Sequence, residues 1–331
     1  MRCTMRGIMQ TLKSHPAAVL VLLAFVSAAV TPAWSQTYPT RPVKLVTQGA
    51  AGSGSDVVAR LVSDQLARMW GQQIVILNHP GAGGSAAARV AAAAAPDGYT
   101  LYVAATSTFI AMHEMFPNLP FSIDRDFTRI GLMGELPMAL AVSPSLGVKT
   151  LAELIALSKT RPILYAGNAR GTFANLTVER LRQETGADFS FIPYPGAAAA
   201  LQDLLGARIS MMCEGPSAFL GPAQAGSVKL LAVASPKRLP NFPDVPTIAE
   251  TIPGFTAMAW LALLAPTGTP EPIIRKVNAD LNHVFALPEI AHRLHEIGTY
   301  ARLLSPAETA EFISSEQRVW IPVVRQVGVA R

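Results

Sequence analysis

The residues Gly49-Ala50-Ala51-Gly52-Ser53-Gly54-Ser55-Asp56 carry the clearest chemistry in the sequence. They follow a short apolar run, Val43–Thr47, and precede a helical pattern over Asp56–Trp70. Small residues let a backbone come close to a ligand. The first turn of a helix offers N–H groups without intrahelical partners and a partial positive charge. Together these suit an anion such as a carboxylate or phosphate. Asp56 reads first as a helix cap, and in contact with a ligand it would favour an amine or hydroxyl. A second loop of the same design is Ala166-Gly167-Asn168-Ala169-Arg170-Gly171-Thr172. Two such loops facing one another could grip one anion from both sides. Arg170 is open to two readings, a surface arginine or the partner of a second carboxylate. Asn78-His79-Pro80-Gly81-Ala82-Gly83-Gly84 is a third Gly-rich turn, equally readable as a plain turn or as the rim of a pocket.

Other chemistries find little support. Gly52-x-Gly54 lacks the third glycine of a dinucleotide fingerprint, and no phosphate-binding lysine follows. No G-x-S-x-G elbow is present for a serine nucleophile. His113-Glu114 has no second histidine four residues on, which excludes the metalloprotease helix. His292 and His295 share a helical face without companion ligands, so no metal site is expected. Cys213 lies in the apolar run Ile209–Cys213 and reads as a buried thiol. No nucleophile–base pair emerges, so the chain is expected to be no enzyme, with no catalytic residues and no cofactor.

The elements around these loops alternate. Strands are predicted at Val43–Thr47, Ile74–Leu77 and Thr100–Ala104, with helices at Asp56–Trp70 and Ser85–Ala95 between them. In the first helix Val57, Val58, Leu61, Val62, Leu66 and Met69 share one face. This β-α-β-α-β rhythm predicts a largely parallel sheet covered by helices, with ligand loops at its carboxyl edge. The rhythm restarts after Leu140–Pro144. Thr150–Thr160 is read as a helix opened by a Thr150/Glu153 capping box. Strands at Ile163–Ala166, Phe189–Pro193, Ile209–Cys213 and Leu230–Ala234 alternate with helices at Phe173–Thr185 and Ala197–Leu205. The apolar segment Ala257–Pro266 could return the chain to the first unit. Glu271–Leu287, Pro288–Gly298 and Pro306–Val327 read as helical.

Composition fits this organisation. The chain has 331 residues, 50% hydrophobic and 15% charged, enough for about two domains. Residues 1–35 read as a secretory signal: Arg2, Arg6 and Lys13 precede the apolar run Ala17–Val30, and small residues lead to a cut before Gln36. The run is shorter than the roughly 20 residues of a membrane span. Cleavage would lower the formal charge from +5 to +2, too little for a nucleic-acid footprint. It would also remove Cys3, leaving Cys213 without an internal disulfide partner.

Short motifs then accumulate in one order along the chain. Tyr38-Pro39-Thr40-Arg41-Pro42, Ser55-Asp56-Val57-Val58-Ala59-Arg60, Asn78–Gly84, Pro96-Asp97-Gly98-Tyr99-Thr100-Leu101, Pro193-Tyr194-Pro195-Gly196, Pro243–Glu250, Trp260 and Ala265–Pro270 resemble the tripartite tricarboxylate transporter solute-binding proteins, also called Bug proteins. The resemblance covers essentially the whole chain after residue 35. It implies a two-lobed α/β periplasmic-binding-protein fold, a Venus flytrap of type II-like form with a central ligand cleft. It implies a small carboxylate ligand, held by backbone amides and hydroxyl groups. The ligand would pass to a tripartite tricarboxylate-type membrane transporter, or its capture would be signalled to a sensor kinase. The sequence departs from the family inside the site. Gly49 stands where an aromatic is usual, Asn168, Arg170 and Phe173 replace serine-rich positions, and Glu214 stands where Asp is usual.

The expectations are therefore a periplasmic, monomeric receptor that binds no nucleic acid. One lobe is expected from residues 36–138 plus 260–331 and the other from 139–259. The candidate ligand-binding residues are Gly52, Ser53, Gly54, Ser55, Asp56, Thr106, Ser107, Gly167, Asn168, Thr172 and Glu214. An exported hydrolase is the remote alternative.

Overall fold

A computed structural model of the chain describes residues 38–116, 118–167 and 169–328. The segment read as a secretory signal lies outside the described residues, as does Asn168. In chain order the first elements are β1 (Val43–Thr47), α1 (Gly54–Trp70), β2 (Ile74–Asn78), α2 (Ser85–Ala92), β3 (Thr100–Ala105), α3 (Thr106–Ile110), α4 (Met112–Met115), β4 (Phe127–Pro137) and β5 (Ala139–Val142). Then come α5 (Leu151–Ser158), β6 (Ile163–Gly167), α6 (Phe173–Thr185), β7 (Phe189–Pro193), α7 (Ala197–Leu205), β8 (Met211–Glu214), α8 (Leu220–Gln224) and β9 (Lys229–Val233). The chain closes with β10 (Met258–Pro266), α9 (Glu271–Ala286), α10 (Pro288–Glu296) and α11 (Pro306–Val327).

These strands form two sheets, ordered β2-β1-β3-β10-β4 and β7-β6-β8-β5-β9. Each is only partly parallel. β1 runs parallel to β2 and β3, and β6 parallel to β7 and β8. β10 runs antiparallel to β3 and β4, and β5 antiparallel to β8 and β9. The expected largely parallel sheet is thus mixed, because β10 and β5 each run against the direction set by the βαβ units.

Two passages join the sheets. β4 ends at Pro137 and β5 starts at Ala139, so Met138 alone separates them. The return passes through Ala257 into β10. There the Met138 N–H donates to Ala257 O at 3.1 Å, the Ala234 N–H to Met138 O at 2.7 Å, and the Ala257 N–H to Ala234 O at 2.8 Å. The two passages are therefore stitched side by side.

Local sequence explains the helix ends. Ser53 caps α1 by accepting from the Asp56 N–H, and Gly71 closes it in the left-handed region at φ 63°. Its inward face carries Val58, Ala59, Val62, Ser63 and Leu66. Val57 and Met69, read on that face from spacing, are 38% and 44% exposed and flank it instead. Thr150 caps α5 by accepting from the Glu153 N–H, yet the Glu153 carboxylate turns to the Lys149 N–H, so the reciprocal half of the expected capping box is shifted by one residue. A full capping box, Ser305 with Glu308, opens α11.

Candidate ligand-binding cleft

A cavity of about 360 Å³ lies where the carboxyl ends of β1, β3 and β6 meet β4 and β10. Both sheets contribute to it. The first supplies Ser55 from α1, Gly83, and the stretch Ala105–Ser107 that follows β3. The second supplies Ala169–Phe173, the turn between β6 and α6. Leu136 of β4 and Ala259–Leu261 of β10 form the floor.

The first loop is braced from below by Asp56. Its Oδ2 accepts from the Gly52 N–H and from Arg60 Nε, each at 2.8 Å, and its Oδ1 accepts from Asn78 Nδ2 at 2.8 Å. Asn78 Nδ2 also donates to Gly49 O at 2.8 Å. The side chain is 1% exposed. The Arg60 hydrogen bond, followed by those from Asn78 and Gly52, outweighs burial and holds the carboxyl down at about 2. Ser53 and Ser55 pair through their hydroxyls at 3.2 Å. A Cβ at Gly49 would collide with both hydroxyls, so the missing aromatic at 49 and the serines at 53 and 55 are one packing arrangement.

The second loop has a parallel brace. The Gly171 N–H donates to Asn175 Oδ1 at 2.9 Å, and Asn175 Nδ2 donates to the Tyr165 hydroxyl at 2.7 Å. Tyr165 in turn donates to Glu179 Oε1 at 2.7 Å, and Arg182 Nε donates to Oε2 at 2.9 Å. Burial is the leading cause of the raised Tyr165 pKa, and the Glu179 charge adds to it. Thr172 caps α6: its hydroxyl accepts from the Asn175 N–H at 3.3 Å and donates to Ala169 O at 2.9 Å.

The residues singled out from sequence fall into two groups. Ser55, Thr106, Ser107 and Thr172 line the cavity. Gly52, Ser53, Gly54 and Asp56 stand beside Ser55 in the same loop and helix turn without lining it. Gly167 ends β6, and a Cβ there would meet the Phe191 ring at 2.9 Å. Glu214 ends β8 away from the lining, and burial raises its carboxyl pKa. Several donors have internal partners: the Gly52 N–H is directed at Asp56, the Gly171 N–H at Asn175 and the Thr172 hydroxyl at Ala169 O. First-turn amides of Gly54 and Ser55 in α1, and of Phe173 and Ala174 in α6, lack intrahelical acceptors by helix geometry.

The floor was not singled out as a site. Trp260 is held by Thr106, whose hydroxyl donates to Trp260 O at 3.0 Å and accepts from the Trp260 N–H at 2.6 Å. Behind it, Trp260 Nε1 and Trp320 Nε1 converge on Glu316 Oε2 at 3.4 and 3.1 Å. Burial raises the Glu316 pKa against those two bonds. Phe173 packs on Trp320 with ring centroids 4.6 Å apart. Leu136 and Ala259 are direct partners in the β4–β10 pairing, a cross-strand neighbourhood that the order of residues along the chain does not show.

Cys213 is buried, which pushes its thiol well above the usual range. Among the described residues no group of three or more His, Cys, Asp and Glu could hold a metal ion, and no helix is long and apolar enough to cross a membrane.

Comparison with known proteins gives one direction. A family model described as "Tripartite tricarboxylate transporter family receptor" matches residues 58–329. BugT of Bordetella pertussis is 33% identical over 315 residues, covering 94% of this chain and 97% of BugT. Among solved structures, R. palustris Rpa4515 with adipate aligns at a TM-score of 0.78 and 30% identity, covering 88% of this chain and 98% of that one. MatC from Rhodopseudomonas palustris with bound malate aligns at 0.73 and 33% identity, covering 87% and 100%.

Proposed function

The chain belongs to the tripartite tricarboxylate transporter receptor family, and on that premise we propose that it is a periplasmic receptor that captures a small carboxylate in the cleft and delivers it to a membrane transporter. One observation carries this reading. The cavity is flanked by first turns of two long helices, α1 and α6, one from each sheet region, and Arg170 is the ionisable residue among its described lining. Helix first turns and a guanidinium favour an anion, and no carboxylate among the described lining residues opposes it.

In this reading the carboxylate lies between the Gly52–Ser55 turn and the Gly167–Thr172 turn. The amides of Gly54, Ser55 and Phe173 and the hydroxyls of Ser55 and Ser107 are its donors, with Thr106 and Thr172 setting the walls. Asp56 braces its loop and does not touch the ligand. The lobes comprise residues 36–138 plus 260–331 and residues 139–259, and the ligand closes one on the other. Membership of a receptor family supports capture without chemistry. The N-terminal Arg/Lys, apolar and small-residue pattern supports export.

The test is calorimetry and thermal unfolding of the protein starting at Gln36 against carboxylated metabolites. A ligand at about a hundred times its Kd adds about 2.7 kcal/mol of apparent stability. Ser55→Ala and Ser107→Ala should weaken that ligand while the fold persists. Binding by an amine or neutral sugar, with carboxylates inert, would overturn the reading.

A further inference from the structure

Two lining residues depend on a carboxylate that lies outside the cavity. Trp260 of β10 and Phe173 of α6 line it, whereas Glu316 and Trp320 of α11 stand behind them. Both indoles are buried, each 1% exposed, and a buried indole N–H needs an acceptor. For both, the acceptor among the described residues is one atom, Glu316 Oε2, at 3.4 Å from Trp260 Nε1 and 3.1 Å from Trp320 Nε1. Trp320 carries the connection further. Its ring meets the Phe173 ring with centroids 4.6 Å apart, and the Arg180 guanidinium of α6 lies 5.2 Å from the same indole. Arg180 Nη1 also donates to Thr256 O at 2.9 Å, on the passage into β10. One oxygen therefore reaches a lining residue from each of the two chain segments that meet at Met138 and Ala257. The charged groups facing Glu316 are Arg180 of α6 and, across a separate hollow of about 120 Å³, Glu135 of β4 with its partner Arg302 at 3.0 Å.

We propose that Glu316 is a positioning residue of the cleft: by holding Trp260 and Trp320 on a single oxygen, it fixes the floor and the Phe173 wall relative to one another. This rests on the receptor reading above and deepens it. Glu316 touches no ligand and acts through the two indoles. Its negative charge strengthens both N–H bonds. Without an acceptor, two buried donors lose their partner together, and both sides of the cavity loosen. An amide at this position keeps an oxygen for the indoles, and a hydrocarbon keeps none.

The experiment follows the indole N–H resonances of the isotope-labelled protein starting at Gln36, whose three tryptophans are Trp70, Trp260 and Trp320. Trp70 is the internal reference, since its Nε1 donates to Asp280. As pH falls, Trp260 and Trp320 should shift together through one transition above the ordinary carboxylate range, because burial favours the protonated Glu316, and Trp70 should not follow it. Glu316→Gln should abolish that transition. Backbone amide exchange reads the two sides separately: the Trp260 N–H is bonded to Thr106 Oγ1 at 2.6 Å and the Leu176 N–H to Thr172 O at 2.9 Å. Glu316→Leu should speed exchange at both, Glu316→Gln at neither. Trp320→Phe, which spares the Trp260 bond, should speed Leu176 alone. In calorimetry with adipate and malate as probes, Glu316→Gln should bind within about threefold of wild type, and Glu316→Leu about tenfold more weakly. If Glu316→Leu does not fold, the pH series and Trp320→Phe decide the matter in folded protein. Separate transitions at the two indoles, faster exchange on one side only in Glu316→Leu, or a Gln variant as loose as the Leu variant would each overturn the inference and leave a carboxylate receptor standing. If neither probe nor any other carboxylate binds, the receptor reading fails, while the resonances and the exchange rates still judge the link through Glu316.

Discussion

Replacing Asp56 by Asn keeps the shape of the side chain and removes its charge. Asp56 accepts three hydrogen bonds at 2.8 Å, from Gly52 N–H, Arg60 Nε and Asn78 Nδ2. An Asn at 56 can keep its oxygen toward Gly52 and Arg60, but its amide NH2 then faces the NH2 of Asn78, two donors in opposition. Losing one hydrogen bond to a charged acceptor costs about 1.5–3 kcal/mol. The Arg60 side chain is half exposed, so losing that ion pair adds only about 0.2–1 kcal/mol. The expected loss is about 2–4 kcal/mol in urea unfolding at neutral pH. The pH series gives an independent check. The folded-state carboxyl is held down at about 2 against its usual 3.8. Its stabilising contribution is therefore complete above pH 3.8 and is lost as pH falls from there toward 2. The gap between wild type and Asp56→Asn should be constant from neutral pH to mildly acid and narrow below it. Ligand affinity should fall only as far as the loosened loop requires. Unchanged stability with abolished ligand binding would refute the reasoning, because it would make Asp56 a ligand contact and not a brace.

Three further outcomes are expected. Thr106→Val removes both hydrogen bonds to the buried Trp260 backbone, and should lower stability by about 2 kcal/mol or more, read as a reduced urea midpoint at constant m-value. Glu214→Gln should raise the melting temperature at neutral pH. Burial raises the Glu214 pKa in the fold, so the charged form costs stability above that pKa, and the gain should vanish below the ordinary carboxylate range. The Cys213 thiol should resist a thiol reagent in the native protein and react fully in guanidinium chloride, since it is buried and its pKa is pushed up.

The sequence made the βαβ units readable because their patterns are local. Val43–Thr47 is a strand over the expected residues, and the helix expected over Asp56–Trp70 begins two residues earlier, at Gly54. Ser85–Ala95 ends at Ala92, since repeated alanines give no periodicity to mark its end. Phe127–Pro137 was not read as a strand. It contains Gly131 and Gly134, and Gly134 sits at φ 126° where a Cβ would strike Thr299. It pairs with β10 through two register shifts, so its inward residues do not alternate cleanly. The apolar floor stayed hidden for another reason: Leu136 and Ala259 meet only through the long-range pairing of β4 with β10. The two turns beside the cavity were legible because small residues and a following helix occur together. What no sequence pattern reveals is which amides in those turns bond inward, since that depends on Asp56 and Asn175 folding back upon them.

The stitched passages at Met138 and Ala257 bear on how such a receptor can change its ligand. The chain leaves the first sheet and returns to it at neighbouring points, so the intervening segment behaves as an insert with adjoining ends. Insertion at sites where the ends lie close is the arrangement proteins tolerate best. Exchanging residues 139–256 for the same segment of a relative would carry across the Ala169–Phe173 wall, Arg170 with it, and leave Ser55, Ser107 and Trp260 in place. One wall of the cavity is thus portable as a single stretch of chain, and new pairings of the two segments can arise by recombination without redesigning either sheet.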